Sequence, residues 1–184
     1  MRHGRTSLNV DGHLRGHLDP PLDAVGEAEA AALGRLFAST PISRVVTSPL
    51  QRASATARAI ADACECELQV EDGFIDRDYG RFAGRSLAEL EASAGPLETL
   101  PGVERHRDFE DRVLGSFART AATVSEPTAI VAHDAVNRLL LRDLCGRADV
   151  DQATGCWNRI DTVDDGVTWA AEVVGARPGD GRRP

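Results

Sequence analysis

The sequence predicts a single α/β domain with a largely parallel central sheet. Short β-branched runs alternate with longer segments of helical periodicity, and this alternation is typical of strands joined by crossover helices. With 42% apolar residues, the 184-residue chain can also fill one core. We therefore expect one domain over residues 1–175 and a disordered tail over 176–184, which is rich in Gly, Pro and Arg.

The predicted elements follow a polar loop at 1–22. Helices are predicted from their apolar spacing at 23–39, 48–63, 87–93, 108–124 and 134–144. Strands are predicted at 43–48, 66–70 and 127–133, followed by a terminal hairpin of 156–163 and 167–174 that turns around 164–166. Ser48 is the expected N-cap of the second helix, with Pro49 at its first position, and Gly146 ends the last helix.

Charge and composition restrict the partners. The formal net charge of −8 disfavours non-specific binding to nucleic acid and to anionic membranes. All 21 basic residues are arginines, so an anion site here uses guanidinium groups, which bind phosphate in a bidentate manner. The four cysteines have no metal-ligand spacing and are expected to be reduced thiols. Because no apolar run could span a bilayer and no signal-peptide pattern is present, we expect a cytoplasmic protein.

Two strand–helix junctions carry side chains suited to anion binding. Ligands of parallel sheets bind at the carboxyl ends of strands, where helix N-termini attract anions. Arg52 lies in the first turn after one strand, and His133 lies between another strand and its helix. If Arg2 and His3 reach the same edge, arginines can hold a phosphoryl group while one histidine attacks it.

Phosphoryl transfer also needs an acid that protonates the leaving oxygen. The cluster IDRDYG supplies two candidates, Asp76 and Asp78. A metal site built from the same histidines and aspartates is the alternative chemistry. We expect no metal, because the spacings match no familiar ligand pattern and the neighbouring arginines repel a cation.

Four segments resemble, in order, the motifs of the histidine phosphatase (phosphoglycerate-mutase-like) superfamily. They span residues 2 to 141 and read RHGRTSLN with GHLDPPLDAVG, then SPLQRASATA, DRDYGRFAG and VAHDAVNRLLL. Four motifs in family order are far more specific than a lone Arg-His-Gly. The resemblance implies a three-layer α/β/α sandwich of the phosphoglycerate-mutase-like type, on the phosphatase branch of the superfamily.

The resemblance also implies a role for each matching residue. His3 would be the nucleophile that forms a phosphohistidine, and Asp76 would be the general acid, where the family usually carries glutamate. Phosphoryl oxygens would be bound by Arg2, Asn9, Arg52 and His133. Further substrate contacts are expected from Arg15, Gly16 and Arg77. No metal and no organic cofactor are implied.

Three departures from the family pattern bear on the site. The family's first strand, which ends at Arg-His-Gly, is missing here. Either translation starts upstream of Met1, which we favour, or the sheet lacks a strand and His3 sits on a frayed terminus. Asp76 is one methylene shorter than glutamate, so either its loop approaches more closely or Asp78 takes the role. Asp134 replaces a common glycine, and a helix N-cap is its expected structural use.

The expected function is a metal-independent phosphomonoester hydrolase acting through a phosphohistidine on His3. A phosphoglycerate mutase-type phosphotransferase is the closest alternative, although the short segment before the second histidine favours hydrolysis. A catalytically silent member that binds a phosphorylated ligand or a protein is the second alternative, and a part of a longer fusion protein is the third. The expected partner is a small-molecule phosphomonoester, with neither nucleic acid nor membrane, and a homodimer stays open.

Overall fold

The protein is described from a computed structural model that covers residues 1–10, 12–162 and 169–176. The α-helices in these ranges are Ser7–Val10 (α1), Ala24–Phe37 (α2), Gln51–Cys64 (α3), Leu87–Ala94 (α4), His106–Ala121 (α5) and Asp134–Cys145 (α6). The strands are Arg44–Thr47 (β1), Glu67–Val70 (β2), Thr128–Val131 (β3), Trp157–Thr162 (β4) and Trp169–Ala176 (β5). Short 3₁₀ turns lie at Asp72–Phe74, Gly80–Phe82 and Leu97–Thr99.

The strands form a parallel sheet and an antiparallel hairpin. The parallel sheet has the order β2-β1-β3, and β4 pairs with β5 in the hairpin. This confirms the predicted largely parallel sheet and the terminal hairpin. The turn predicted at 164–166 and the residues 177–184 lie outside the described ranges.

Helices cover both faces of the parallel sheet, which gives the three layers that were expected. Val45 and Val46 are neighbours in β1 and therefore point to opposite faces. Val45 packs in a cluster with Leu33 of α2 and Ile60 of α3. Val46 packs in a second cluster with side chains of α5 and α6, such as Val113. A parallel sheet is stable when it is buried on both sides in this way.

Residues 1–3 join the parallel sheet to the hairpin. Arg2 forms a parallel bridge with Ala132, just past β3, and its backbone N–H donates to the carbonyl of Cys156, just before β4. The His3 N–H donates to the Ala132 carbonyl at 3.1 Å. The side chain of His3 is fully buried. The alternative in which His3 sits on a frayed terminus is therefore wrong.

An open groove continues from Met1 between β3 and β4. It has a volume of about 680 Å³ and is lined mainly by apolar side chains, among them Phe37, Ile130, Leu141 and Trp157. Residues 1–3 close only the end of this gap that lies at the carboxyl end of β3. The position expected of a first strand is thus occupied by a three-residue segment.

Local predictions failed at several element ends. Residues 1–22 were expected to be loop, yet Ser7–Val10 forms α1. The helix predicted from Ser48 begins at Gln51, whose N–H donates to the Asp19 carboxylate at 2.8 Å. Ser48 is therefore not an N-cap. Ala176, predicted as the first residue of the tail, pairs with Trp157 at the end of β5.

The loop after His3 contacts the first turn of α2 through two glycines. A Cβ on Gly26 would lie 2.0 Å from the Arg5 carbonyl oxygen, and one on Gly4 would lie 2.4 Å from the Gly26 carbonyl oxygen. The Arg5 side chain also donates to Asp23, the N-cap of α2, at 2.8 Å. This backbone-to-backbone contact holds the loop that follows His3 against the first turn of α2.

We expect Gly26→Ala to lower the free energy of unfolding by about 1–3 kcal/mol, because backbone must move to admit the methyl group. Gly115→Ala in α5 is the matched control: its Cβ would meet only the flexible end of Arg119 at 3.4 Å. That control should stabilise the protein by about 0.5–1 kcal/mol, the ordinary effect of Gly→Ala within a helix. Urea unfolding measures both, and equal effects would contradict the contact described.

Candidate active site

The candidate site lies where the carboxyl ends of three sheet segments meet. His3 ends the segment 1–3, Ser48 follows β1, and His133 follows β3. All three side chains, and that of Arg52 in the first turn of α3, are fully buried. The rings of His3 and His133 are 5.2 Å apart between centroids. The sheet edge thus brings together the two histidines and the arginine that the sequence singles out.

The hydrogen bonds of His3 define the tautomer of its ring. Nδ1 lies 2.6 Å from the Gly4 carbonyl oxygen, which can only accept, so Nδ1 carries the hydrogen. Nε2 receives the Nε–H of Arg52 at 3.3 Å, so Nε2 presents its lone pair. Burial lowers the pKa of His3 well below its ordinary value, and the charges of Arg52 and Arg2 lower it further. These contacts and the lowered pKa favour a neutral His3 ring with its hydrogen on Nδ1 and its lone pair on Nε2.

Arg52 holds the parts of the site together. Its Nη1 donates to the Leu18 carbonyl at 2.7 Å, and its Nη2 donates to the Gly16 carbonyl at 3.0 Å and to Asp76 Oδ2 at 3.1 Å. A buried guanidinium stays charged and needs such acceptors. Because one side chain contacts His3, Asp76 and the loop at 16–18, it places all three around one point.

His133 is held by Ser48, which the sequence predicts to be a helix N-cap. Its Nε2 lies 2.8 Å from Ser48 Oγ, and its buried Nδ1 has no hydrogen-bond partner and lies 3.9 Å from Asp76 Oδ2. Burial lowers the pKa of His133 well below its usual value, and the neighbouring His3 and Arg52 add to this effect. The SPLQR motif places Ser48 close to Arg52, but the motif alone does not predict that Ser48 contacts His133.

The structure separates the two candidate acids. Asp76 is 4% exposed, with one carboxylate oxygen on Arg52 and the other accepting from the Arg77 N–H at 3.0 Å. The side chain of Asp78 is 44% exposed and faces His17 and the Gly80 N–H. Burial raises the pKa of Asp76, although the charge of Arg52 opposes this. Only Asp76 lies beside the histidines, in a setting that favours a protonated carboxyl.

Two further arginines present unpartnered N–H groups. The Nε atoms of Arg2 and Arg15 are buried without a hydrogen-bond partner, like Nδ1 of His133. Arg2 also contacts Asp134 at 3.4 Å and the backbone carbonyl of Gln152. Arg15 donates to the His13 carbonyl at 3.3 Å, and its charge acts on the pKa of His3, His133 and Asp76. Such N–H groups are suited to receive an anion.

The remaining predicted residues contribute less directly. The Asn9 side-chain oxygen accepts from the N–H and the hydroxyl of Thr6, which leaves its amide NH₂ for a ligand. Gly16 has a positive φ of 49° and packs against the Arg77 backbone, so it acts through its carbonyl on Arg52. Arg77 turns away to Glu98 and the Glu104 carbonyl and lines an adjoining cavity of about 210 Å³.

Asp134 and Gln152 have tasks near the site that differ from what the sequence predicts. Asp134 is not an N-cap, because His133 occupies that position and Asp134 is the first residue of α6, where it pairs with Arg2. Gln152 is fully buried, and its side-chain oxygen accepts from Asn137 and Asn158 while its carbonyl accepts from Arg2. A glutamine in an irregular segment gives no sequence signal for this task.

A fold of this kind, with paired histidines and arginines at the carboxyl edge, defines a class of phosphoryl-handling proteins. Residues 1–173 match the family described as the histidine phosphatase superfamily (branch 1). The chain belongs to this superfamily, as the sequence resemblance indicated.

Relatives with both phosphatase and mutase names match the chain. One is the uncharacterized phosphatase PhoE of Bacillus subtilis (strain 168), 33% identical over 147 residues, which are 79% of this chain and 76% of that protein. Another is the probable phosphoglycerate mutase GpmB of Salmonella choleraesuis (strain SC-B67), 31% identical over 128 residues, which are 64% of this chain and 60% of that protein.

Solved structures share the fold over nearly the whole chain. A putative alpha-ribazole-5'-P phosphatase from Escherichia coli str. K-12 substr. MG1655 superposes with a TM-score of 0.82 at 27% identity, covering 96% of this chain and 94% of that one. A mycobacterial glucosyl-3-phosphoglycerate phosphatase in complex with VO3 gives 0.84 at 22% identity, covering 95% and 96%. No helix within residues 1–10, 12–162 and 169–176 is long and apolar enough to cross a membrane.

The lowered pKa values of His3 and His133 predict that the protein loses stability in acid. A histidine whose folded pKa lies below its unfolded value of about 6.5 contributes its full stability above that pH and loses it as the pH falls. From about pH 7.5 to about pH 5.5 the loss is on the order of 1 kcal/mol for each histidine. The raised pKa of Asp76 acts in the opposite sense.

Urea unfolding at the two pH values measures this loss. The comparison is made in Asp76→Asn, which removes the opposing contribution. Adding His3→Asn or His133→Asn to that background should reduce the pH dependence by one histidine's share each. A pH dependence that neither histidine substitution changes would show that the buried rings are not the groups that titrate.

Proposed function

We propose that this chain is a metal-independent phosphomonoester hydrolase that acts through a phosphohistidine on His3. The observation that carries the proposal is His3, whose Nδ1 is held by the Gly4 carbonyl and whose Nε2 faces the buried guanidinium of Arg52, in a site where Arg2, Arg15 and His133 have buried ring or guanidinium nitrogens without a partner. A neutral imidazole is a nucleophile for phosphorus, and the surrounding cations stabilise the oxygens of the transferred group.

In the first step, the Nε2 lone pair of His3 attacks phosphorus and forms the N–P bond. The bond from phosphorus to the leaving oxygen breaks, and that oxygen takes the proton of the Asp76 carboxyl group. Arg2, Arg52 and Arg15 hold the phosphoryl oxygens, and the NH₂ of Asn9 adds a donor. The phosphorylated ring becomes cationic, and its Nδ1–H bond to the Gly4 carbonyl stabilises that charge.

In the second step, water attacks the phosphohistidine. The Asp76 carboxylate accepts a proton from the water, the N–P bond breaks, and its electron pair returns to His3 Nε2. Inorganic phosphate then leaves. With the Ser48 hydroxyl donating to Nε2 of His133, Nδ1 of His133 carries a hydrogen that can bind a phosphoryl oxygen in both steps.

The activity that we propose is hydrolysis of a small soluble phosphomonoester. The competing activity is that of a phosphoglycerate mutase, in which the phosphoryl group returns from His3 to the product. The names of the two solved phosphatases given above refer to small phosphorylated molecules, which supports a small substrate. The GpmB relatives carry the mutase name, so mutase activity is measured beside hydrolysis. The cytoplasm is the expected compartment.

Asp76→Asn should lower kcat/KM for phenyl phosphate by about 100-fold, because a general acid contributes 10²- to 10⁴-fold to such a step. Asp78→Asn is the matched control and should stay within about threefold, since Asp78 faces His17 and solvent. Purified protein is assayed with EDTA present from acid to neutral pH. Interconversion of phosphoglycerates is measured in parallel.

His3→Ala should abolish turnover, and the wild type should trap an acid-labile phosphoryl group that His3→Ala does not. Activity that needs an added metal would contradict the metal-independent mechanism. Rapid phosphoglycerate interconversion with little phosphate release would replace the hydrolase by a mutase. No turnover and no trapped phosphate, with phosphate or vanadate still bound, would replace it by a silent ligand-binding member.

A further inference from the structure

We propose that Arg112 and Glu104 are positioning residues that hold the acid loop, which comprises residues 72–78, so that the short Asp76 side chain reaches Arg52 and the ring of His133. The assignment of Asp76 as the acid rests on the proposed function. Neither Arg112 nor Glu104 touches the reacting atoms in this scheme. Their task is to fix the backbone from which Asp76 projects.

The guanidinium of Arg112 binds three carbonyl groups of the acid loop. Its Nη1 donates to Gly73 at 3.0 Å and to Ile75 at 2.8 Å, and its Nη2 donates to the Asp76 carbonyl at 2.9 Å. The acid loop contains a single 3₁₀ turn and no strand, so no sheet ladder satisfies these carbonyls. The rigid, planar guanidinium of Arg112 on α5 therefore supplies the donors that a neighbouring strand would supply in a sheet, next to the Asp76 carboxyl.

Glu104 orients this guanidinium and binds the other end of the acid loop. Its carboxylate accepts from Arg112 Nε at 2.7 Å and from Nη2 at 2.9 Å, which is a bidentate pair. The same carboxylate accepts from the Asp78 N–H at 3.1 Å, and the Glu104 N–H donates to the Asp78 carbonyl at 2.8 Å. The two side chains thus grip the backbone on both sides of Asp76.

The short reach of aspartate makes this grip important for chemistry. With a single methylene between backbone and carboxyl, Asp76 cannot compensate for a backbone shift by changing its rotamer. A misplacement of about 1 Å can cost about 100-fold in rate. The pair is largely shielded, with 23% of the Arg112 side chain and 17% of the Glu104 side chain exposed. Its loss therefore removes the Arg112 donor from the Gly73 and Ile75 carbonyls, leaves the Asp76 carbonyl with His17 alone, and lets the acid loop move.

The dependence of rate on the leaving group separates a positioning role from a general loss of stability. kcat/KM reports steps up to formation of the phosphohistidine, so it isolates the protonation of the leaving oxygen. An alkyl phosphate such as glycerol phosphate needs that proton, whereas 4-nitrophenyl phosphate leaves without much help. A displaced acid therefore slows the alkyl ester selectively. Partial unfolding slows both esters equally.

We expect Arg112→Gln to lower kcat/KM about 100-fold for glycerol phosphate and less than about threefold for 4-nitrophenyl phosphate. Arg112→Lys, which keeps the charge but not the planar fork, should recover part of the loss, and Glu104→Gln should show the same leaving-group pattern more weakly. The matched control is Arg107→Gln on the same helix, an 89% exposed arginine paired only with Asp111. In an Asp76→Asn background, Arg112→Gln should cost almost nothing more.

A second readout does not depend on turnover. The carboxyl carbon of Asp76, assigned in ¹³C-aspartate-labelled protein by comparison with Asp76→Asn, reports the titration of that group. Arg112→Gln should move its pKa from the raised value towards the ordinary one, because a released loop exposes the carboxyl to water. If the wild type hydrolyses no phosphomonoester, the proposed function fails. The titration still decides whether Arg112 holds the Asp76 carboxyl in its buried position.

Three results would overturn the inference. The first is an equal loss on both esters in Arg112→Gln. The second is a further large loss in the Asp76→Asn background, since Arg112 would then act elsewhere. The third is an unchanged Asp76 titration in folded Arg112→Gln protein.

Discussion

The burial of the Arg52 guanidinium is the constraint on which the rest of the site depends. A charged group with no exposed surface must find acceptors for its N–H groups. It finds them in the carbonyls of Gly16 and Leu18, the carboxyl of Asp76 and the ring of His3. Segments from different parts of the chain are therefore folded around one side chain, which holds the groups of the site in fixed positions.

Burial acts in opposite directions on the two kinds of titratable group in this pocket. It keeps both histidines neutral and favours the protonated carboxyl of Asp76, while the arginines stay charged. With its arginines charged, the site is electropositive, which suits a phosphoryl dianion. The directions in which burial shifts these pKa values are the ones that the proposed attack and the proposed protonation of the leaving oxygen require.

Much of this arrangement could be predicted from the sequence, for identifiable reasons. Periodic helices and β-branched strands indicated the α/β fold, and the carboxyl-end rule with four ordered motifs brought Arg52, His133 and Asp76 together. Ser48 was misassigned because capping preference is local, whereas its contact with His133 crosses 85 residues. Residues 1–3 are too short to show any periodicity. Arg112 could not be recognised, because a helix arginine that grips a loop looks the same in sequence as one in solvent.

The attachment of residues 1–3 has a consequence for the order of folding. Met1 binds the carbonyl of Ile130, 129 positions later, and Arg2 binds Gln152, 150 positions later. Contacts of such sequence separation form slowly, since the intervening chain must first be organised. Residues 1–3 cannot dock until the segments that hold Ile130 and Gln152 have been synthesised and have folded. The proposed centre around His3 therefore forms late in folding, after the sheet and the segment before the hairpin are in place.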